Sequence, residues 1–227
     1  MLVTDREPGE VVGICFHGIG TPAAGLEPAA HEYFVGQDLF LAVLDETAGQ
    51  PSVQLTFDDG YASDADVALP ALAERGLTAT FFPLAGMLGQ PGYLNADGVR
   101  ALSAAGMTVG SHGMRHRSWR GLDAGAEHEE LTAARSLIAA AAQAPVTTAA
   151  CPFGSYDRRV LGTLRRHGYT QVFTSDRRRA RAGAWLQPRY SIKRGDTLDS
   201  VREQILAPRP VAERVRRVAA ASIKALR

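Results

Sequence analysis

Short apolar runs alternate along the chain with segments whose apolar positions recur at helical spacing. Val11–Phe16, Val53–Phe57, Thr78–Leu84, Met107–Gly110, Thr147–Cys151, Thr170–Thr174 and Tyr190–Lys193 read as strands. Between them, Asp38–Thr47 carries Leu39, Phe40, Val43 and Leu44 on one helical face. Asp64–Arg75, Asp97–Ala105, Ala124–Gln143, Arg158–His167 and Thr197–Leu206 read as further helices. Gly76, Gly106 and Gly168 follow three of these where a left-handed residue ends a helix, and Asn95 and Asp157 stand where N-caps are wanted. Near-continuous apolar strands alternating with helices predict a parallel sheet covered on both faces. About seven such units in 227 residues fit an α/β fold with a closed or nearly closed barrel. A doubly wound nucleotide-binding sheet fits less well, because no Gly-rich phosphate loop follows the first strand. The pattern divides the chain into one barrel domain, residues 1–206, and a basic amphipathic C-terminal helix, residues 207–227.

Composition narrows the class. Apolar residues make up 45% and charged residues 22%, which excludes a disordered chain. The formal net charge of +1 hides an asymmetry, with residues 1–100 at −11 and residues 101–227 at +12. The two halves either complement each other in packing, or the basic half meets an anionic substrate or surface. Nucleic acid is not expected, because few aromatics interleave with the arginines. No basic stretch followed by an apolar one opens the chain, and no apolar run is long enough to span a bilayer. Cys15 and Cys151 sit in apolar surroundings as free thiols. These features predict a cytoplasmic protein.

Two motifs carry chemistry. Thr56-Phe57-Asp58-Asp59-Gly60-Tyr61 closes an apolar strand. Adjacent carboxylates reach one site only if the chain turns there, and Gly60 can supply the backbone angles. A bound cation would relieve their repulsion, whereas an ordinary Asp-Gly turn needs none. Ser111-His112-Gly113-Met114-Arg115-His116 follows another strand. Its two imidazoles meet if the segment takes one helical turn, a spacing that suits zinc. Together the motifs offer two imidazoles and a carboxylate, leaving one metal position open to water and a second carboxylate beside it as base.

These residues resemble the polysaccharide deacetylase family, also called the NodB-homology domain, over residues 11–205. The resemblance implies a distorted (β/α) barrel and metal-dependent removal of an N-acetyl or related acyl group from an amino sugar. It implies Asp58 as catalytic base and Asp59, His112 and His116 as ligands of Zn2+, with Co2+ and Ni2+ as alternatives. Ala150-Cys151-Pro152-Phe153-Gly154 matches a third family motif and makes the Phe153 N–H the oxyanion donor. The arginine expected in that motif is replaced by Ala150. Arg189, in Gln187-Pro188-Arg189-Tyr190, either approaches from a later strand in its place or lies at the rim. The family's late Leu-x-x-His motif is also missing. His17 ends the first strand instead, as in the permuted branch typified by poly-N-acetylglucosamine deacetylases, which implies His17 as general acid.

Tyr61, Trp119 and Trp185 are candidates for lining the sugar site, with the core or the rim as the alternative for each. The run Arg177-Arg178-Arg179-Ala180-Arg181 is either a solvated loop or a grip on the diphosphate of a nucleotide- or lipid-linked sugar. The tail from Pro210 to Arg227 either docks on the barrel or makes peripheral contact with an anionic membrane. Two rival functions remain open: hydrolysis of a cyclic imide or an N-formyl group at the same metal site, and sugar binding without catalysis on a decayed scaffold.

Overall fold

The computed structural model describes residues 9–207 together with Ala219, Ile223 and Lys224. The basic helix expected over residues 207–227 therefore lies, but for those residues and Ala207, outside the described part. In chain order the strands are β1 (Glu10–Phe16), β2 (Gly18–Ile19), β3 (Phe34–Val35), β4 (Val53–Asp59), β5 (Ala79–Pro83), β6 (Thr108–Val109), β7 (Thr148–Ala150), β8 (Gln171–Thr174), β9 (Ala180–Arg181) and β10 (Leu186–Ser191). Seven of them form one parallel sheet in the order β6-β5-β4-β1-β10-β8-β7. β9 adds an antiparallel edge to β1, and β2 pairs with β3 beside the sheet. The two ends of the parallel sheet meet at one residue, where Ser111 beyond β6 bridges to Ala149 of β7. The result is the nearly closed seven-stranded barrel that the alternation predicts.

The α-helical segments are α1 (Gln37–Thr47), α2 (Leu69–Glu74), α3 (Ala96–Ala104), α4 (Ala124–Glu127), α5 (Ala134–Ala142), α6 (Arg158–Arg166) and α7 (Leu198–Val201). Asn95 and Asp157 cap as expected, accepting from the Gly98 and Val160 N–H groups at 2.8 and 2.9 Å. Three helices differ from the sequence reading by containing π turns, at Asp64–Ala68, His128–Ala133 and Arg202–Leu206. Hydrophobic periodicity does not resolve such single widened turns, which often mark functional sites.

The largest core cluster lies between the sheet and its helices, with Phe16, Phe40, Phe57 and Phe81 fully buried. The rings of Phe57 and Phe81 stack at 4.5 Å across β4 and β5. Another cluster, Phe82, Ala150 and Phe173, brings together residues of β5, β7 and β8.

The last barrel strand corrects the sequence reading. Strand character begins at Leu186, four residues before the expected Tyr190, and ends at Ser191. Pro188 and the polar Gln187 and Arg189 hide it, since proline and charge both argue against a central strand. Gln187 and Arg189 are nevertheless buried.

Candidate active site

Both carboxylates arrive at the C-terminal end of β4. Asp58 keeps extended backbone, whereas Asp59 has φ 72° and Gly60 φ 74°. The turn anticipated at Gly60 therefore begins one residue earlier, at a residue type that tolerates the left-handed region. Gly60 remains necessary, because a Cβ there would stand 2.7 Å from the Pro83 side chain.

Asp58 meets Arg189 of β10. The guanidinium donates from both terminal nitrogens to the two Asp58 oxygens, each at 2.7 Å, and also to Thr56 Oγ1 at 3.0 Å. Arg189 has 0% exposure, and its charge lies 5.4 and 5.6 Å from the Phe82 and Phe173 ring centres. Gly13 of β1 makes room for it, since a Cβ at Gly13 would meet Arg189 Cγ at 2.8 Å. Burial alone would raise the Asp58 carboxyl. The Arg189 charge, assisted by His112 and by the Arg189 hydrogen bonds, outweighs that and holds it well below the usual carboxylate range. Asp58 is thus fixed ionised.

The segment carrying the two histidines is not the single helical turn the spacing suggested. Gly113 has φ 87° and His116 φ 50°, and the backbone between them is irregular. The rings still converge, with centroids 5.1 Å apart. His112 Nδ1 lies 2.9 Å from the Ala150 carbonyl, which fixes that nitrogen as the donor and leaves Nε2 free. Burial lowers the proton affinity of both His112 and His116, although the nearby carboxylates oppose it. Neutral imidazole, the ligating form, is favoured.

Asp59 Oδ1 is buried without a hydrogen-bond partner and stands 3.5 Å from Nε2 of each histidine. Three ligands about 2.1 Å from a tetrahedral ion would be separated by about 3.4 Å. The orphaned oxygen, the neutral imidazoles and this spacing fit a divalent ion held by Asp59, His112 and His116. Cys15, His17 and Asp58 also lie close together, their candidate ligand atoms within 4.8 Å of one another. That group does not fit a cation, because both Asp58 oxygens are already taken by the Arg189 charge.

His17, just beyond β1, faces the same mouth. Its Nδ1 is buried without a partner, and its ring lies 4.6 Å from that of Tyr33. Phe153 follows β7 with φ 58°, and its side chain is 67% exposed beside His116, with ring centroids 4.3 Å apart.

The other aromatic candidates take up core or rim positions. Trp119 is 3% exposed in a core cluster with Leu131, Tyr156 and Val160, so its faces are occupied. Trp185 precedes β10 at the opposite end of the barrel, donates to the Tyr169 carbonyl at 2.8 Å and is covered by Arg165. Tyr61 is buried against Phe34 and Tyr93, and burial and the Asp59 charge push its phenol up. Tyr61 and Trp119 expose almost none of their rings, and Trp185 lies at the end of the barrel away from Asp58, Asp59 and the histidines. The basic run likewise turns partly inward, since Arg179 donates to the Leu206 and Ala207 carbonyls at the end of the last helical turn.

Sequence reasoning missed Gly13 and Asp64. A glycine inside an apolar strand signals close approach of another group, and Gly13 was legible on that ground. Asp64 is fully buried, and burial together with the Asp59 and Asp58 charges raises its carboxyl well above the ordinary value. That shift disfavours a third negative charge beside Asp58 and Asp59.

Comparison with known proteins places these residues in context. Residues 45–172 match the family described as polysaccharide deacetylase. The match takes in Asp58, Asp59, His112, His116 and Phe153, and leaves out His17 and Arg189. A chitooligosaccharide deacetylase of Bradyrhizobium sp. (strain ANU 289) is 32% identical over 133 residues, 57% of this chain and 58% of that protein. The chain spans about half the length of the curated relatives it matches. Among solved structures, the Streptococcus pyogenes deacetylase PplD in complex with acetate superposes with TM-score 0.72 at 19% identity, covering 88% of this chain and 99% of that one. IcaB from Ammonifex degensii superposes with TM-score 0.67 at 23% identity, covering 85% and 94%. At these identities the likeness establishes the fold.

Proposed function

The chain belongs to the polysaccharide deacetylase family, and from that premise we propose that it is a metal-dependent hydrolase removing the N-acetyl group of an amino-sugar substrate and releasing acetate. The observation that carries the reading is the pairing of two carboxylates with opposite surroundings. Asp59 is left with an open oxygen facing two neutral imidazoles, while Asp58 beside it is pinned ionised by Arg189. A divalent ion, Zn2+ or its substitutes Co2+ and Ni2+, held by Asp59, His112 and His116 would polarise the acetyl carbonyl and acidify water.

Asp58 takes the proton from the attacking water. Arg189 keeps that carboxylate charged and oriented, filling the role vacated at Ala150. The Phe153 N–H receives the oxygen as negative charge develops on it, a donation that is worth roughly 3 kcal/mol where such donors have been removed. His17 gives a proton to the departing amine, and its place at the same barrel mouth supports that role. The reading of a decayed sugar-binding scaffold rested on the missing motif arginine and the missing late histidine. Arg189 and His17 supply both groups from other strands.

Acetate release is the test. The metal-stripped protein, reloaded with Zn2+ or Co2+, is expected to liberate acetate from N-acetylglucosamine oligomers and to leave cyclic imides and N-formyl amides intact. Cleavage of an imide without acetate release would replace this reading with its nearest rival.

A further inference from the structure

Between His112 and His116 the chain has no regular structure, yet its backbone is held at every polar group of Gly113 and Met114. Gly113 N–H donates to Ser111 Oγ at 3.2 Å. The Gly113 and Met114 carbonyls accept from the Ala85 and Gly86 N–H groups at 2.9 and 3.0 Å, in the turn after β5. The remaining group, the Met114 N–H, donates to Glu130 Oε2 at 2.8 Å. Glu130 has 0% exposure, an unusual place for a carboxylate. It sits in the π turn His128–Ala133, where it and Leu131 are both buried although adjacent in sequence.

The fit around this carboxylate is close. A Cβ at Gly113 would fall 2.4 Å from Glu130 Oε2 and 3.0 Å from Trp119 Nε1, so the loop can wrap the acid only through a glycine. Glu130 Oε1 lies 3.3 Å from Arg117 Nε, an ion pair without a hydrogen bond. Arg117 follows His116 directly. The acid therefore holds the loop midway between the histidines and offsets the cation next to the second one.

We propose that Glu130 is a positioning residue whose carboxylate sets the conformation of the Gly113–Arg117 loop, and thereby the convergence of His112 and His116 on a divalent ion. The proposal rests on the reading of these histidines and Asp59 as metal ligands. Glu130 is not among the three candidate ligands, and its influence passes through the Met114 N–H. Removing groups that orient ligands in this way commonly weakens metal binding about 10–100-fold.

The experiment measures Zn2+ affinity of the metal-stripped full chain by chelator competition, the ligand-field spectrum of the Co2+ form, and thermal unfolding without metal. Wild type is expected to bind one equivalent. Glu130→Ala is expected to bind about 10–100-fold more weakly with an altered Co2+ spectrum. If that variant does not fold, Glu130→Leu fills the space without restoring the acceptor, and the same loss is expected. Glu130→Gln keeps an acceptor for the Met114 N–H and should recover most of the affinity. Ile138→Ala, a core truncation in the neighbouring α5, should lower the unfolding temperature while leaving affinity and spectrum unchanged. Wild-type affinity and spectrum in Glu130→Ala would overturn the proposal. An equal loss of affinity in Ile138→Ala at matched stability would overturn it too. If wild type itself binds no divalent ion, the ligand reading falls, and this inference falls with it.

Discussion

Asp58 and Asp59 are joined by one peptide bond, yet their environments assign them different work. Asp58 sits against a cation and stays ionised, whereas Asp59 turns into the left-handed region and keeps an oxygen free. Asp58→Asn is expected to lower turnover about 10²–10⁴-fold, the usual worth of a positioned proton acceptor, with metal affinity unchanged. Acetate release and metal titration on the same preparation check both halves. Arg189→Met removes the partner of a buried charge. It should cost about 3–5 kcal/mol of stability, read by urea denaturation, besides abolishing activity. The two motifs are legible because two carboxylates and two imidazoles at neighbouring strand ends have few joint structural uses, although an Asp-Gly turn or a histidine pair alone has many. Arg189 was not decided by sequence, since nothing local tells an arginine that crosses the barrel from one at its rim. Tyr61, Trp119 and Trp185 stay open in the sequence because an aromatic residue suits the core or the rim as well as a sugar.

At the scale of elements, the site depends on how β1 and β10 pass each other. Their register sets Gly13 opposite Arg189, and the absent side chain at Gly13 leaves the path the guanidinium follows to β4. Gly13→Ala should displace Arg189 at a cost of about 1–3 kcal/mol, as overpacking usually does, and should lower turnover while metal affinity holds. Wild-type turnover in that variant would show that the passage has slack. The alternation of strands and helices was readable because parallel strands buried on both faces are almost wholly apolar. The sequence pattern starts β10 four residues late because the residues serving the site make its first half polar. Spacing alone brings the two histidines together through a helical turn, but the shape of the segment is set by groups distant in sequence, at Ala85, Gly86 and Glu130.

For the whole molecule, the buried histidines tie stability to pH and to metal. Burial holds His112 and His116 below the ordinary imidazole value near 6.5, so the unfolded chain binds protons that the folded one refuses. Their contribution is present above that value and is lost as pH falls below it. The metal-free protein should therefore melt at lower temperature at pH 5 than at pH 7, and His112→Ala/His116→Ala should flatten that dependence. The depressed Asp58 carboxyl acts in the same direction but only below about pH 4, the ordinary carboxylate range. Adding metal at about 100 times its dissociation constant should add about 2.7 kcal/mol, a rise of about 5–10 °C in melting temperature for a chain of this size. The barrel itself shows where that energy would be felt. Its sides meet through one bridged residue, with Ser111 N–H on the Thr148 carbonyl and Ala150 N–H on the Ser111 carbonyl, and His112 reaches across the same line to the Ala150 carbonyl. A bound ion would thus act as a clasp on the weakest join of the cylinder. Amide protons of Ser111 and Ala150 should then gain more protection from solvent exchange on metal addition than that of Leu55, in the middle of β4.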